Sequence, residues 1–382
     1  MKEFKGKMAV VTGGGAGMGR EIVCQLIQEG AHVAMCDVSK GGMEETVRLA
    51  NPEPGVRLTT HYCDVSVEAD MIRFKEEVEA EHQVQHINLL FNNAGISITG
   101  EFVNIDRPKW EKTFGVCWYG VYYGCLTFMP LLIASDEGHI VNTSSVNGFW
   151  ASIGTATSHT AYSAAKFAVK GFTEALITDL RLNAPHIKTS LVMPGHIGTS
   201  IALNSQSARN ENGALGMSQT EVDAARNLME KRGAPVSNLT DDQIRELVHQ
   251  QAVEFRDNAP TTAAQAANII LEGVRSEKWR ILVGDDAQLL DAFVREAPEV
   301  EARKLGLLDS AKALASMPVG GFQYDASGNP ILENVIDPIT GLPIRDEDGN
   351  VIQRPVRAGL PQQQIAGLPP QQQRAIQVGE AG

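Results

Sequence analysis

The chain has 382 residues, 43% hydrophobic and 21% charged, enough apolar material for one large α/β domain with additions. A formal net charge of −13 argues against a general nucleic-acid binder, because neutralising phosphates requires clustered Lys and Arg. Residues 1–7 carry no apolar export segment, no stretch resembles a membrane span, and Cys24, Cys36, Cys63, Cys117 and Cys125 lack metal-ligand spacing. The expectation is a cytoplasmic protein with reduced thiols and no metal.

Short apolar runs at 8–12, 32–37, 57–63, 87–92, 139–144, 188–193 and 280–283 predict seven strands. Amphipathic stretches at 17–29, 68–82, 110–132, 162–182 and 262–276 predict the helices between them. This alternation implies βαβ units and an α/β fold, a Rossmann-type doubly wound, seven-stranded parallel sheet. The continuous apolar character of the strands suits burial on both faces. Residues 201–260 interrupt the pattern with polar, helical material just beyond the carboxyl end of the sixth strand, where open α/β sheets bind ligands. They read as a substrate-covering lid. After about residue 317 the chain turns rich in Gly, Pro and Gln and cannot bury enough apolar surface to fold alone. The expected organisation is a catalytic domain over 1–300 and an extension over 301–382. That extension is largely extended, or packed on a partner through the turn-rich 322–348.

Thr12-Gly13-Gly14-Gly15-Ala16-Gly17-Met18-Gly19 joins the first strand to the first helix, the setting of a pyrophosphate-binding turn. Its spacing is Thr-Gly-x-x-x-Gly-x-Gly, carried by Gly13, Gly17 and Gly19. Asp37 ends the second strand about 20 residues on, where a carboxylate accepts the ribose hydroxyls of an adenosine and repels a 2′-phosphate. NAD is therefore favoured over NADP. Tyr162 and Lys166 stand one helical turn apart, so the ammonium can favour the phenolate and make Tyr162 a general acid/base.

In order and spacing these motifs resemble the short-chain dehydrogenase/reductase family over roughly residues 5–298. The matching positions are Thr12 to Gly19, Asp64-Val65, Asn92-Asn93-Ala94-Gly95, Ser145, Tyr162 with Lys166, and Pro194-Gly195 followed by Thr199. The resemblance implies that Asp64 and Val65 flank the adenine and that Asn92 to Gly95 line the cofactor. It places Pro194, Gly195, Ile197 and Thr199 along the nicotinamide, with Met18 in the phosphate loop. Ser145 would hold the substrate oxygen and Lys166 the nicotinamide ribose. Tyr162 would take the alcohol proton as hydride leaves for nicotinamide C4, with the roles reversed in reduction.

One position departs from the family pattern. Where the family carries an asparagine that supports a helix irregularity and a proton-relaying water, this chain has Cys117, a weaker hydrogen-bond partner. The loop at 148–160, with Phe149, Trp150 and His159, and the long insertion imply a roomy pocket for a bulky secondary alcohol or ketone. By resemblance the chain is a homodimer or homotetramer. The alternative reading is a nucleotide-bound sensor or scaffold with weak or lost turnover, motivated by Cys117.

Overall fold

A computed structural model of the chain describes residues 1–98, 102–104, 106–151, 159–209, 212–231, 234–296, 332–334 and 353–355. Strand β1 (Met8–Thr12) lies at the centre of the sheet and is buried throughout. Its period-two alternation splits it between two cores. Ala9 and Val11 enter the layer with Ile22 and Leu26 of α1 (Gly17–Gln28), while Met8 and Val10 enter the layer on the opposite face.

The other strands are β2 (His32–Asp37), β3 (Leu58–Tyr62), β4 (Leu89–Asn92), β5 (Gly138–Thr143), β6 (Ile187–Pro194) and β9 (Arg280–Val283). All pair in parallel in the order β3-β2-β1-β4-β5-β6-β9. These are the seven strands expected, with four of them displaced by one or two residues at their ends. The order reverses between β1 and β4, so successive crossovers leave β1 in opposite directions and open a crevice at the strands' carboxyl ends.

Between β2 and β3 lies a helix that the periodicity did not suggest, α2 (Lys40–Ala50). Only Met43, Thr46 and Ala50 are buried, and Gly41 and Gly42 weaken its propensity. It starts because Ser39 Oγ accepts the Gly42 N–H at 3.1 Å. Helix α3 (Glu68–His82) follows β3 as expected. The single helix expected at 110–132 is instead α4 (Arg107–Phe114), a π-turn (Gly115–Tyr119) and α5 (Gly120–Ile133).

By length and apolar composition this whole stretch, Arg107–Ile133, could cross a membrane, which corrects the expectation that no segment resembles a span. Part of it is core, with Phe128 and Leu132 of α5 packed with Phe74 and Val78 of α3 and with Val169 and Leu176 of α6 (Thr160–Asn183), while Leu126 and Ile133 are exposed. The Phe74 and Phe128 rings meet edge-on at 5.5 Å.

The insertion folds as α7 (Ile201–Arg209), α8 (Gln219–Lys231) and α9 (Asp241–Asp257), around a small core of Met217, Val222, Met229, Val236 and Ile244. Its two ends are joined by the parallel pair β7 (Ile197–Gly198) and β8 (Thr261–Thr262). Ser205 Oγ accepts the Ser97 N–H at 2.8 Å, and Lys109 of α4 pairs with Glu221 at 3.1 Å. The insertion is thereby held against the segment that follows β4. Helix α10 (Ala263–Arg275) then leads to β9, and α11 (Asp285–Glu296) follows that strand.

The chain divides into compact units at Met1–Leu308 and Asp309–Gly382. Within the second, β10 (Leu332–Asn334) and β11 (Gln353–Pro355) pair antiparallel. The expected turns at 325–329 and 346–350 and the Gly/Pro/Gln-rich end lie outside the described residues.

Helix α5 approaches β4 so closely that a Cβ on Gly124 would stand 2.1 Å from Asn92 Oδ1 in the core. Gly124→Ala is expected to destabilise the fold by about 1–3 kcal/mol. The denaturant midpoint measures this, and an unchanged midpoint would refute the packing.

Candidate active site

The glycines of the loop after β1 have no room for side chains. A Cβ on Gly19 would lie 2.0 Å from Gly13 O and 2.6 Å from Asn93 Nδ2, and Gly13 adopts φ +69°. Thr12 holds the facing turn: its Oγ1 accepts the Asn93 and Ala94 N–H groups at 3.0 and 3.1 Å. The side chain of Asn93 in turn donates to Thr12 O at 3.2 Å. The first turn of α1 contains no acid, and its N-cap, Ala16, supplies no side-chain cap. Its free amides and positive end of the helix dipole therefore face the crevice. Met18 packs its side chain on the core beneath, and Thr199 lies over Gly17, where a Cβ would meet Thr199 Cβ at 3.1 Å.

Asp37 closes the β2 side. Its Oδ2 accepts the Gly15 N–H at 3.0 Å and its Oδ1 the Ser39 N–H at 2.9 Å. A carboxylate has about four acceptor sites, so capacity for a ribose diol remains. Arg20, which sequence reasoning passed over, ties this loop to α2. It donates to Gly15 O at 2.5 Å, Thr46 Oγ1 at 3.1 Å and Gly42 O at 3.3 Å. Asp64 Oδ1 accepts from Ser66 Oγ at 2.6 Å, and Val65 is buried against Gly120 of α5.

Together the cradle that a Cβ would fill, the uncapped helix start and the carboxylate at the strand end fit a dinucleotide. Two expected residues contribute differently. The Asn92 side chain turns inward, donating to Asn142 Oδ1 at 2.9 Å, because strand alternation aims it at the α5 layer and away from the cofactor crevice. Ile197 is likewise buried in the core, leaving its backbone as the part available to a ligand.

On the other side of the crevice, Gly95 lies between two functional groups. A Cβ there would be 3.7 Å from Lys166 Nζ and 3.8 Å from Cys117 Sγ. Lys166 is buried and donates to Thr143 O at 2.8 Å, with its Nζ 5.4 Å from the Tyr162 ring centroid. The two adjacent serines diverge. Ser144 Oγ donates to the helical carbonyl of Lys166 at 2.7 Å, whereas Ser145 Oγ accepts the Asn147 N–H at 3.1 Å and hydrogen-bonds with Tyr162.

Burial raises the Tyr162 pKa above that of an ordinary phenol. Cys117 adds to the rise, and the bond with Ser145 opposes it. Burial lowers that of Lys166. The Lys166 ammonium is directed at a carbonyl, and burial acts on Tyr162 in the direction opposite to the one expected of Lys166.

The π-turn places Cys117 in this cluster. Gly120 N–H donates back to Gly115 O, the five-residue step of a π-helix, and Cys117 Sγ donates to Ile96 O at 3.1 Å. The helix irregularity therefore forms without an asparagine. The rest of the expected mouth is partly visible: His159 Nδ1 stands 3.5 Å from Ser97 Oγ, while 152–158 lie outside the described residues. Among the described residues no cluster of His, Cys, Asp and Glu could hold a metal ion.

A family model described as short chain dehydrogenase matches residues 7–210. The chain belongs to the short-chain dehydrogenase family. A putative oxidoreductase SadH of Mycobacterium tuberculosis is 33% identical over 300 residues, 77% of this chain and 92% of that one. Human epidermal retinol dehydrogenase 2 is 32% identical over 201 residues, 52% of this chain and 63% of that one. Among solved structures, a short-chain dehydrogenase/reductase from Burkholderia phymatum in complex with NAD aligns with a TM-score of 0.62 at 28% identity. That alignment covers 78% of this chain and 96% of the other.

As a short-chain dehydrogenase the chain is an oxidoreductase built on the observed sheet. Thr12, Arg20 and Thr143 support its site; Thr12 opened the glycine motif in the sequence, whereas Arg20 and Thr143 did not stand out there. Gly19→Ala, which forces a methyl group onto Gly13 O, is expected to weaken NADH binding at least tenfold. Quenching of protein fluorescence on NADH titration reads this directly, and wild-type affinity would contradict the cradle.

Proposed function

We propose that this short-chain dehydrogenase interconverts a bulky, largely apolar secondary alcohol and its ketone, with NAD as the preferred cofactor. The observation that carries the reading is the convergence of Ser145, Tyr162 and Lys166 beside Gly95, across the crevice from the glycine cradle. Gly13, Gly17 and Gly19 hold the pyrophosphate against the start of α1, and Asp37 takes the adenosine ribose hydroxyls. Lys166 is within reach of the nicotinamide ribose. Bound NAD supplies the hydride acceptor.

Ser145 holds the substrate oxygen and Tyr162 moves the proton at that oxygen, outward in oxidation and inward in reduction. Burial keeps Tyr162 protonated at neutral pH, which suits a proton donor to a ketone. The lid helices α7–α9 supply the walls of a large pocket. Retinol, named for one relative, is a large apolar alcohol and supports the same size and polarity. Engagement of Arg20 by backbone carbonyls leaves the 2′-hydroxyl of the ribose facing Asp37 without that cation, which supports NAD over NADP. Assembly into a homodimer or homotetramer belongs to the same reading.

The experiment is NAD+ reduction over a panel of aliphatic, aromatic, terpenoid and steroid secondary alcohols, with NADP+ and Tyr162→Phe alongside. Turnover with NAD+ is expected, with a loss of at least 1,000-fold in the variant. NADH binding with no turnover across the panel would instead favour a sensor, the reading that Cys117 motivates. Because the pKa of Tyr162 is raised, its base form grows only as pH increases. Alcohol oxidation should accordingly climb through the alkaline range while ketone reduction stays level until the pH passes the raised pKa, and an oxidation kcat/KM flat from pH 7 to 10 would remove Tyr162 from the proton step.

Cys117→Asn is expected to raise kcat by restoring a stronger hydrogen-bond partner within a π-turn that already exists. An equal or lower single-turnover rate would count against that view.

A further inference from the structure

The nicotinamide side of the crevice is held from behind by a residue that neither the motifs nor the family reading singled out. Strands β6 and β9 end side by side, with Pro194 opposite Val283, and Gly195 N–H donates to Val283 O at 2.9 Å. From the first turn of α11, Asp286 reaches back across this gap. Its Oδ2 accepts the His196 N–H at 2.6 Å. The same oxygen fills the space over Gly195, where a Cβ would lie 2.2 Å from it. Its Oδ1 is buried without a hydrogen bond of normal geometry, and burial raises the pKa of the group although the first amides of α11 and that of His196 favour its charge. A largely desolvated carboxylate in such a place costs free energy unless its contacts are specific ones.

His196 connects the same turn to the lid. Its ring packs on Phe255 with centroids 4.2 Å apart, and Nε2 lies 2.7 Å from Phe255 O near the end of α9. That nitrogen must carry the proton to donate to a carbonyl. One residue further, Ile197 and Gly198 pair with Thr261 and Thr262, the point where the insertion rejoins the domain. Asp286, the Pro194–His196 turn and the end of α9 therefore form one contiguous linkage running from the base of α11 to the lid.

We propose that Asp286 is a positioning residue that fixes the Pro194–His196 turn beneath the nicotinamide and, through His196, ties cofactor occupancy to the placement of α9. The proposal rests on the dinucleotide reading of the crevice. It differs from that reading in what it requires of α9: a cofactor bound on one side of the turn must be felt by a helix on the other side. By contrast, a carboxylate that merely caps α11 would change stability without altering any response to NADH.

The test uses the full chain. NADH affinity is measured by fluorescence titration, and amide hydrogen exchange over residues 241–257 is followed with and without NADH, for wild type, Asp286→Ala, Asp286→Asn and His196→Ala. Wild type is expected to bind NADH and to gain protection in α9 on binding. Asp286→Ala should bind NADH at least tenfold more weakly and lose that NADH-dependent gain. Asp286→Asn, which keeps an acceptor oxygen and the shape of the side chain, should fall between the two. His196→Ala should lose the gain in α9 with a smaller loss of affinity than Asp286→Ala.

Should Asp286→Ala fail to fold, the Asn and His196 variants carry the comparison. Wild-type affinity together with wild-type α9 protection at saturating NADH in the Asp286 variants would overturn the proposal and leave the cofactor reading standing. NADH that fails to bind even the wild-type chain would overturn both.

Discussion

Everything in the crevice depends on the close meeting of two backbone turns, the glycine loop after β1 and the Asn93–Gly95 turn after β4. Parallel strands side by side bring their carboxyl ends within a few ångströms of one another, so the turns that follow can coexist only if one of them gives up its side chains. The glycine loop does so, and the Thr12 hydroxyl then takes up two amides of the opposite turn that would otherwise be buried and unpaired. Placed this way, the amides at the start of α1 face the crevice, and Gly95 lies against Lys166 and Cys117. The phosphate bed and the proton-transfer residues are thus located relative to one another by one packing constraint.

Around that constraint, short polar contacts hold the surroundings in register. Asp37 fastens the glycine loop to the end of β2, and Arg20 fastens the same loop to α2. Lys166 is fastened to β5 through Thr143 O, and Ser144 spends its hydroxyl on the first turns of α6 so that Ser145 can face Tyr162. Each contact pairs a group that would be costly to bury alone, which is how a site with several desolvated polar side chains remains compatible with a stable fold. The two hydroxyls at 144 and 145 illustrate the division: neighbours in sequence, they point apart because extended backbone alternates its side chains.

Much of this was legible in the linear chain. The seven strands, their two-sided burial, the glycine spacing, Asp37 and the Tyr162–Lys166 step are local patterns, each contained within a few residues. The errors have physical causes. Helix α2 was missed because its buried stripe is only three residues wide and its start depends on the Ser39 cap. The helix before β5 was read as continuous because apolar periodicity is insensitive to a single extra residue per turn, which is what the π-turn inserts. Asn92 was placed with its motif neighbours, yet a strand turns successive residues to opposite faces.

By itself the sequence determined the family, the parallel α/β architecture and the identities of the residues that could move a proton or cradle a dinucleotide. These follow from short-range spacing, which survives in a one-dimensional string. Tertiary structure alone decided the protonation tendencies of Tyr162 and Lys166, since desolvation is set by everything packed around them and not by their i,i+4 relation. It also decided that Cys117 sits in a π-turn beside Gly95, and that Asp286 meets His196 across 90 residues of chain. Contacts at that separation depend on how strands are ordered in the sheet, and strand order leaves no mark at either residue.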